Sequence, residues 1–188
     1  MHPSIDTDLI CRCIKNERKA QRALYDILLP YLENICRRYL YDENEVEDLL
    51  QVSFVHIFSN LSKFDVEKAG FRTWATKITI NNCLKRNRKK RELFPEEIDS
   101  LQPIVHISPD IINKLALEDL LRYLKKMPAN YFEVFNLYVL DGYSHEEIAQ
   151  MLDIEPALSR KRLSRARMWL NDRFSSNCAN FMELFTNN

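Results

Sequence analysis

Apolar residues recur along this chain at intervals of three and four, and nowhere do they keep up a convincing alternation. A stripe at every third or fourth position buries one side of a helix, whereas a half-buried strand needs a period of two. The pattern predicts helices over 6–17, 19–40 with a break near Pro30, 43–60, 71–91, 111–126, 129–140, 144–152 and 156–173. Between 93 and 110 the chain reads LFPEEIDSLQPIVHISPD, where Pro95, Pro103 and Pro109 interrupt any helix. The expected fold class is therefore all-α, with two small helical domains joined by a flexible linker and a helix-turn-helix in the second. The expected boundaries are 1–92, a linker over 93–110, 111–175 and a tail over 176–188 that is polar apart from Phe181, Met182, Leu184 and Phe185.

The stretch GYSHEEIAQMLDIEPALSRKRLSRAR, residues 142–167, carries the densest local signals. Ser144 followed by Glu147 has the spacing of a capping box, in which each side chain satisfies a backbone N–H at the helix start. Ile148, Ala149 and Leu152 then share a face, with small Ala149 where a second helix can approach closely. Asp153 falls in the turn, where a left-handed residue is needed and Asp is among those that tolerate it. Pro156 suits the first position of the next helix, where its missing N–H costs nothing. On that second helix Ser159, Leu163, Ala166 and Leu170 point one way, and Lys161, Ser164, Arg165 and Met168 the other. Flanked by Arg160, Arg162 and Arg167, the outward side suits phosphates along its edges and base edges near its N-terminal half.

Two further helices carry candidate surfaces. Over 43–60, Val46, Leu49, Leu50, Phe54, Ile57 and Phe58 form a broad apolar stripe. Asp48, Gln51, Val52, Val55 and Ser59 gather on the other side, a mixed acidic and aliphatic patch that reads either as a partner face or as valines packed on another helix of the same domain. After the loop NLSKFDVEKAG, Phe71, Trp74, Ala75 and Ile78 share a side, while Arg72, Thr73, Thr76 and Thr79 occupy much of the other before a basic run begins. Aromatics beside cations suit unstacked bases, each worth about 1–3 kcal/mol when stacked. At helical spacing Trp74 equally suits the core.

Composition narrows the function. With only two glycines, Gly70 and Gly142, among 188 residues, no Gly-rich phosphate loop can be written, which removes most nucleotide-enzyme readings. The N-terminus, MHPSIDTDLI, lacks the basic and apolar regions of a signal peptide, and no apolar run is long enough to span a membrane, so the expected location is cytoplasmic, without stable membrane insertion. Five cysteines, Cys11, Cys13, Cys36, Cys83 and Cys178, show no CxxC pairing and suit reduced thiols; no metal site, no cofactor and no catalytic histidine is expected. Twenty-seven basic residues balance 27 acidic ones, yet the charges are sorted: DENEVED over 42–48 is largely acidic, KRNRKKR over 85–91 almost wholly basic, and a second basic cluster lies at 160–167. A neutral total means weak non-specific attraction to DNA, so a partner is expected to hold the chain there.

Taken in order, EVEDLLQVSFVHIFSNLSKF, FRTWATKITINN with its basic tail, MPANYFEVFNLYVLDGYSHEEIAQMLDI and RLSRAR resemble a bacterial RNA polymerase sigma factor, most closely the extracytoplasmic-function group, over about residues 19–173. The resemblance implies a non-enzymatic initiation factor whose partners are core RNA polymerase, through its β′ clamp and β flap, and promoter DNA, with an anti-sigma factor as a further candidate. It implies that Asp48, Gln51, Val52 and Val55 bind the core enzyme. Lys63, Asp65, Arg72, Thr73, Trp74, Lys77, Asn81, Lys85, Arg86 and Arg88 would recognise and open the minus-10 element. Ser144, Arg160, Lys161, Arg162, Ser164, Arg165 and Arg167 would read the minus-35 element, and the linker would thread through the polymerase interior. One departure stands out: where the family has Gly, Thr and an aliphatic residue, this chain has Ala157, Leu158 and Ser159, and a hydroxyl on the inner face is expected to weaken packing of the two helices. Two other classes compete: a stand-alone helix-turn-helix regulator that binds DNA as a dimer, and a sigma-like interaction protein that binds polymerase or an anti-sigma factor without initiating transcription.

Overall fold

The computed structural model describes residues 5–93 and 123–173. Among them the regular elements are α1 (Thr7–Ile14), α2 (Arg18–Tyr39), α3 (Asn44–Ser59), a 3₁₀ turn at Leu61–Lys63, α4 (Phe71–Leu93), α5 (Ala129–Phe135) running into a π turn at Asn136–Leu140, α6 (His145–Leu152) and α7 (Pro156–Arg173). The chain divides into two compact units, Met1–Lys90 and Arg91–Asn188. Beyond Leu93, the expected linker lies outside the described residues, as do the tail over 176–188 and most of the helix expected over 111–126.

In the first unit α1 is capped by Asp6, whose carboxylate accepts from the Leu9 N–H at 2.8 Å. It is shorter than the expected 6–17 because Asn16 turns left-handed, φ 60°, and lets α2 begin at Arg18. The break expected near Pro30 does not occur: α2 is continuous from Arg18 to Tyr39. Pro30 sits on the exposed side, whereas Leu24, Leu28 and Leu32 beside it are fully buried. A mid-helix proline costs about 3 kcal/mol, and burying each of those leucines returns about 1.5–3 kcal/mol, so the apolar stripe decides the outcome.

Leu50, Phe54 and Ile57 from α3 and Phe71, Ala75, Ile80, Cys83 and Leu84 from α4 complete this core. Polar side chains of α4 go inward with them. Thr76 and Thr79, expected on the outer side, are buried; the Thr79 hydroxyl donates to the Ala75 carbonyl at 3.0 Å, and that of Thr76 reaches the Tyr31 hydroxyl at 3.4 Å. Asn82 donates to Ser53 Oγ of α3 at 3.1 Å while its amide oxygen lies 3.0 Å from His56 Nδ1. Asn87, inside the basic run, is buried and donates to the Tyr39 carbonyl at 3.0 Å, satisfying an acceptor that the last turn of α2 would otherwise leave open. Burial, with a hydrogen bond to Cys36, pushes the Cys83 thiol up; Cys11, Cys13, Cys36 and Cys83 are all free.

In the second unit the helix expected over 129–140 is α-helical only to Phe135. Its last turn widens, with the Asp141 N–H bonded to the Asn136 carbonyl at 3.0 Å, and Gly142 at φ 74° then turns the chain into α6. Ile148 and Ala149 of α6 and Ser159, Leu163, Ala166 and Leu170 of α7 are buried, as the periodicity predicts. No helix among the described residues is long and apolar enough to cross a membrane.

Candidate functional site

Three surfaces present the sequence-predicted residues. The first is the outward side of α3. With Val46, Leu49, Leu50, Ser53, Phe54 and Ile57 turned inward, helical geometry leaves Asp48, Gln51, Val52, Val55 and Ser59 exposed together. Val52 is 45% and Val55 62% exposed, so the valines do not pack on a helix of their own unit. Two adjacent β-branched apolar side chains beside a carboxylate form a small sticky patch of the kind that protein partners cover.

The second lies on α4. Thr73, Lys77, Asn81 and Lys85 follow at four-residue steps and make one stripe, with Arg72 and Arg88 exposed near its ends and Asn81 half-buried. At its N-terminal end Trp74 is half-buried in an aromatic cluster, 5.6 Å from Phe64 and 5.4 Å from Phe71 between ring centroids. Trp74 therefore packs and yet stays partly exposed. Two residues of the expected set are engaged elsewhere. Asp65 organises its own loop, accepting from the Glu67 N–H at 3.1 Å and pairing with Lys68 at 3.1 Å; these two contacts hold its carboxylate below the usual range. Arg86 pairs with Glu45 of α3 at 3.2 Å, and Lys90 reaches the same carboxylate at 3.8 Å. Lys63 is exposed at the end of the 3₁₀ turn before that loop.

The third is the helix-turn-helix. The Ser144 hydroxyl accepts from the Glu147 N–H at 3.2 Å and the Glu147 carboxylate accepts from the Ser144 N–H at 2.9 Å, so both halves of the capping box are formed and the Ser144 side chain serves the cap. Asp153 adopts φ 56°, ψ 53°, the left-handed corner the turn needs, and Pro156 opens α7. Lys161, Ser164 and Arg165 are exposed on the outward side of α7. The other arginines differ. Arg160 faces Glu146 at 3.6 Å, Arg167 is half-buried, and Arg162 is half-buried with its guanidinium pushed below the ordinary value by burial, against the opposing pull of Glu133.

The Ser159 hydroxyl, expected to weaken the packing of the two helices, has a partner. The serine side chain is fully buried, and its hydroxyl lies 2.9 Å from His145 Nδ1 across the pair of helices. The His145 ring is in turn stacked on Tyr138, centroids 4.6 Å apart. The hydroxyl thus gains a partner in the first residue of α6. The sequence assigns His145 no role, and only the pairing of a buried Ser with a His fourteen residues earlier could have suggested one. Among the described residues no group of His, Cys, Asp and Glu could hold a metal ion.

Known proteins give this geometry a context. Residues 24–92 match the family model described as Sigma-70 region 2, and residues 117–170 match Sigma-70, region 4; together the two matches cover more than half of the chain. The chain is 26% identical over 165 residues to the ECF RNA polymerase sigma factor SigW of Bacillus subtilis, an alignment covering 81% of this chain and 88% of that protein. It is 23% identical over 182 residues to the ECF RNA polymerase sigma-E factor of Haemophilus influenzae, covering 89% and 94%. Two solved structures share its fold: the sigma factor RpoE in complex with the anti-sigma factor NepR from Bartonella quintana, with a TM-score of 0.54 at 21% identity over 80% of this chain and 94% of that one, and CnrH in complex with the cytosolic domain of CnrY, with a TM-score of 0.51 at 23% identity over 89% and 95%.

Proposed function

The chain belongs to the extracytoplasmic-function group of the sigma-70 family and so directs RNA polymerase to promoters as a non-enzymatic transcription initiation factor; from that premise we propose how its surfaces divide the task. The outward side of α3, with Asp48, Gln51, Val52 and Val55, docks on the β′ clamp of the core enzyme. The α4 stripe of Arg72, Thr73, Lys77, Asn81 and Lys85, with Trp74 and the loop after Lys63, recognises the minus-10 element and holds its separated strands. Lys161, Ser164 and Arg165 of α7 read the minus-35 element, while the second unit rests on the β flap. The protein acts in the cytoplasm, and an anti-sigma factor is a further partner, as NepR is for the structural relative RpoE.

The observation that carries this division is the placement of two cationic helix faces in separate units of a chain whose net charge is zero. Neither face alone neutralises enough phosphate for tight binding, and the rest of the chain offsets both, so stable engagement requires a body that holds the two at once. Purified core polymerase, the chain and a promoter template test it together. We expect specific footprints over both elements, and a transcript, only when core enzyme and chain are both present. Specific footprints by the chain alone would make it a stand-alone regulator; binding to core without a transcript would make it a sigma-like interaction protein.

A further inference from the structure

We propose that Leu158, beside Ala157, sets a base preference in the upstream promoter element by packing on the C5-methyl group of one thymine in the major groove; this rests on the reading of α7 as the helix that enters that groove. The roll of α7 about its axis is fixed from within. Ser159, Leu163, Ala166 and Leu170 are buried, and the 2.9 Å contact of Ser159 with His145 pins the first of them in the opening turn. With Ser159 inward, each neighbour stands about 100° around the helix. That puts Leu158 and Arg160 on opposite flanks, with Ala157 and Lys161 facing out.

The two flanks differ in chemistry. Arg160 is drawn to Glu146 at 3.6 Å, whereas Leu158 remains 38% exposed although it is large and apolar, and Ala157 beside it is exposed too. On the outward side the cations begin at Lys161 and Arg165, and Arg160 beside them is turned toward Glu146. The N-terminal turn, the part of a recognition helix that reaches deepest toward base edges, therefore offers apolar surface and no side-chain donor. Among the four bases only thymine presents an apolar group in the major groove; the others present acceptors or an amino group that a leucine would desolvate without replacing a hydrogen bond. The apolar turn thus selects thymine by what it matches and disfavours the rest by what it leaves unpaired. Lys161, one turn on, brings donors that suit an adjacent guanine.

The test uses the full chain bound to core polymerase on a promoter that this holoenzyme transcribes. Each thymine of the upstream element is replaced singly by uracil, which removes only the methyl group. One replacement should lower promoter occupancy about fourfold, the effect of losing one buried methyl contact. Leu158→Ala should cause a similar loss on the thymine template and no further loss on the uracil template, while Leu158→Met, which keeps an apolar contact, should retain the thymine preference. The proposal is overturned if every uracil replacement is tolerated. It is equally overturned if Leu158→Ala lowers occupancy on all templates alike and leaves the thymine-to-uracil ratio intact; Leu158 would then serve, as a protein contact, the open groove whose lining combines Ala149, Ile154 and Pro156 with the acidic Glu146, Asp153 and Glu155. Failure of the premise has its own signature: removing Lys161 and Arg165 together would leave occupancy unchanged.

Discussion

His145 Nδ1 and Ser159 Oγ meet at 2.9 Å across the helix-turn-helix, joining the first residue of α6 to the opening turn of α7. The hydroxyl is fully buried, so in this setting the bond removes a desolvation cost as well as adding an attraction. It also ties the capped end of α6, already fixed by Ser144 and Glu147, to the helix that presents Lys161 and Arg165. The polar pair thus adds a directional contact to the buried Leu163, Ala166 and Leu170 that hold α7 in place.

His145→Ala should leave the Ser159 hydroxyl buried without its partner and destabilise the second unit by about 1–3 kcal/mol. Ser159→Val should cost a similar amount alone, since it orphans the imidazole and adds a methyl to a filled space. The double variant should cost less than the sum, because each change has already removed the shared bond. Urea unfolding followed by Trp169 fluorescence in a Trp74→Phe background reads only the second unit, as the chain has two tryptophans. Strict additivity would show that the two side chains are neighbours without coupling.

The burial of His145 makes stability depend on pH. Burial first, and then the Arg160 cation, push the His145 imidazole below its ordinary 6.5. The folded state therefore binds a proton less readily than the unfolded one, and the stabilising contribution is present above the unfolded value and is lost as pH falls through the folded value. The second unit should unfold at lower urea concentration at about pH 5 than at about pH 8, the range in which histidine changes charge, and His145→Gln should flatten the difference. An unchanged slope in that variant would assign the dependence to other groups.

The helix-turn-helix was legible in the sequence because its signals are local. A capping box, a left-handed Asp153 and a first-turn Pro156 each act within four residues, and each appears in the structure with the geometry its chemistry requires. Thr79, Asn82 and Asn87 were not legible, because what buries them is the other side of the fold: Asn82 needs Ser53 and His56 of α3, and Asn87 needs the last carbonyls of α2. Pro30 illustrates the same limit, since its local preference is outweighed by leucines that find their partners only in the assembled core. On the surfaces, periodicity indicates which residues point outward but not which outward charges are engaged, so Arg86 and Lys161 look alike in the sequence and differ in the structure.

Asn82→Leu should destabilise the first unit by about 1–3 kcal/mol, because the fully buried Ser53 hydroxyl loses its partner while the exposed His56 can turn to water. Ser53→Ala in the Asn82→Leu background should recover part of the loss by removing the orphaned hydroxyl. Denaturant unfolding read by Trp74 fluorescence in a Trp169→Phe background checks both. A neutral Asn82→Leu would mean that packing, and no hydrogen bonding, holds α3 against α4.

Asp48→Arg with Val55→Asp should weaken binding to core polymerase at least tenfold while changing stability by no more than about 0.5 kcal/mol, the usual range for exposed positions. Both side chains project from α3 opposite its buried stripe, so neither contributes to the core of the unit. Fluorescence anisotropy against core enzyme and thermal unfolding separate the two effects. Lost helicity with undiminished binding by the folded remainder would make the face structural.

Glu45→Ala should strengthen the electrostatic grip of α4 on DNA. Glu45 is half-buried, accepts from Arg86 and pairs with Lys90 at 3.8 Å, drawing two cations toward α3 at the end of the stripe that Lys77 and Lys85 continue. Released, each can neutralise a phosphate, and each added phosphate contact should steepen the dependence of log affinity on log salt by roughly one. Holoenzyme binding to a promoter with a pre-melted bubble, measured across a salt series, should show a steeper slope for Glu45→Ala than for the unaltered chain, and Arg86→Ala alone should leave the slope nearly unchanged because that cation is already paired. If Arg86→Ala flattens the slope as much as Lys85→Ala does, the Glu45 pair opens on binding and Arg86 belongs with the stripe.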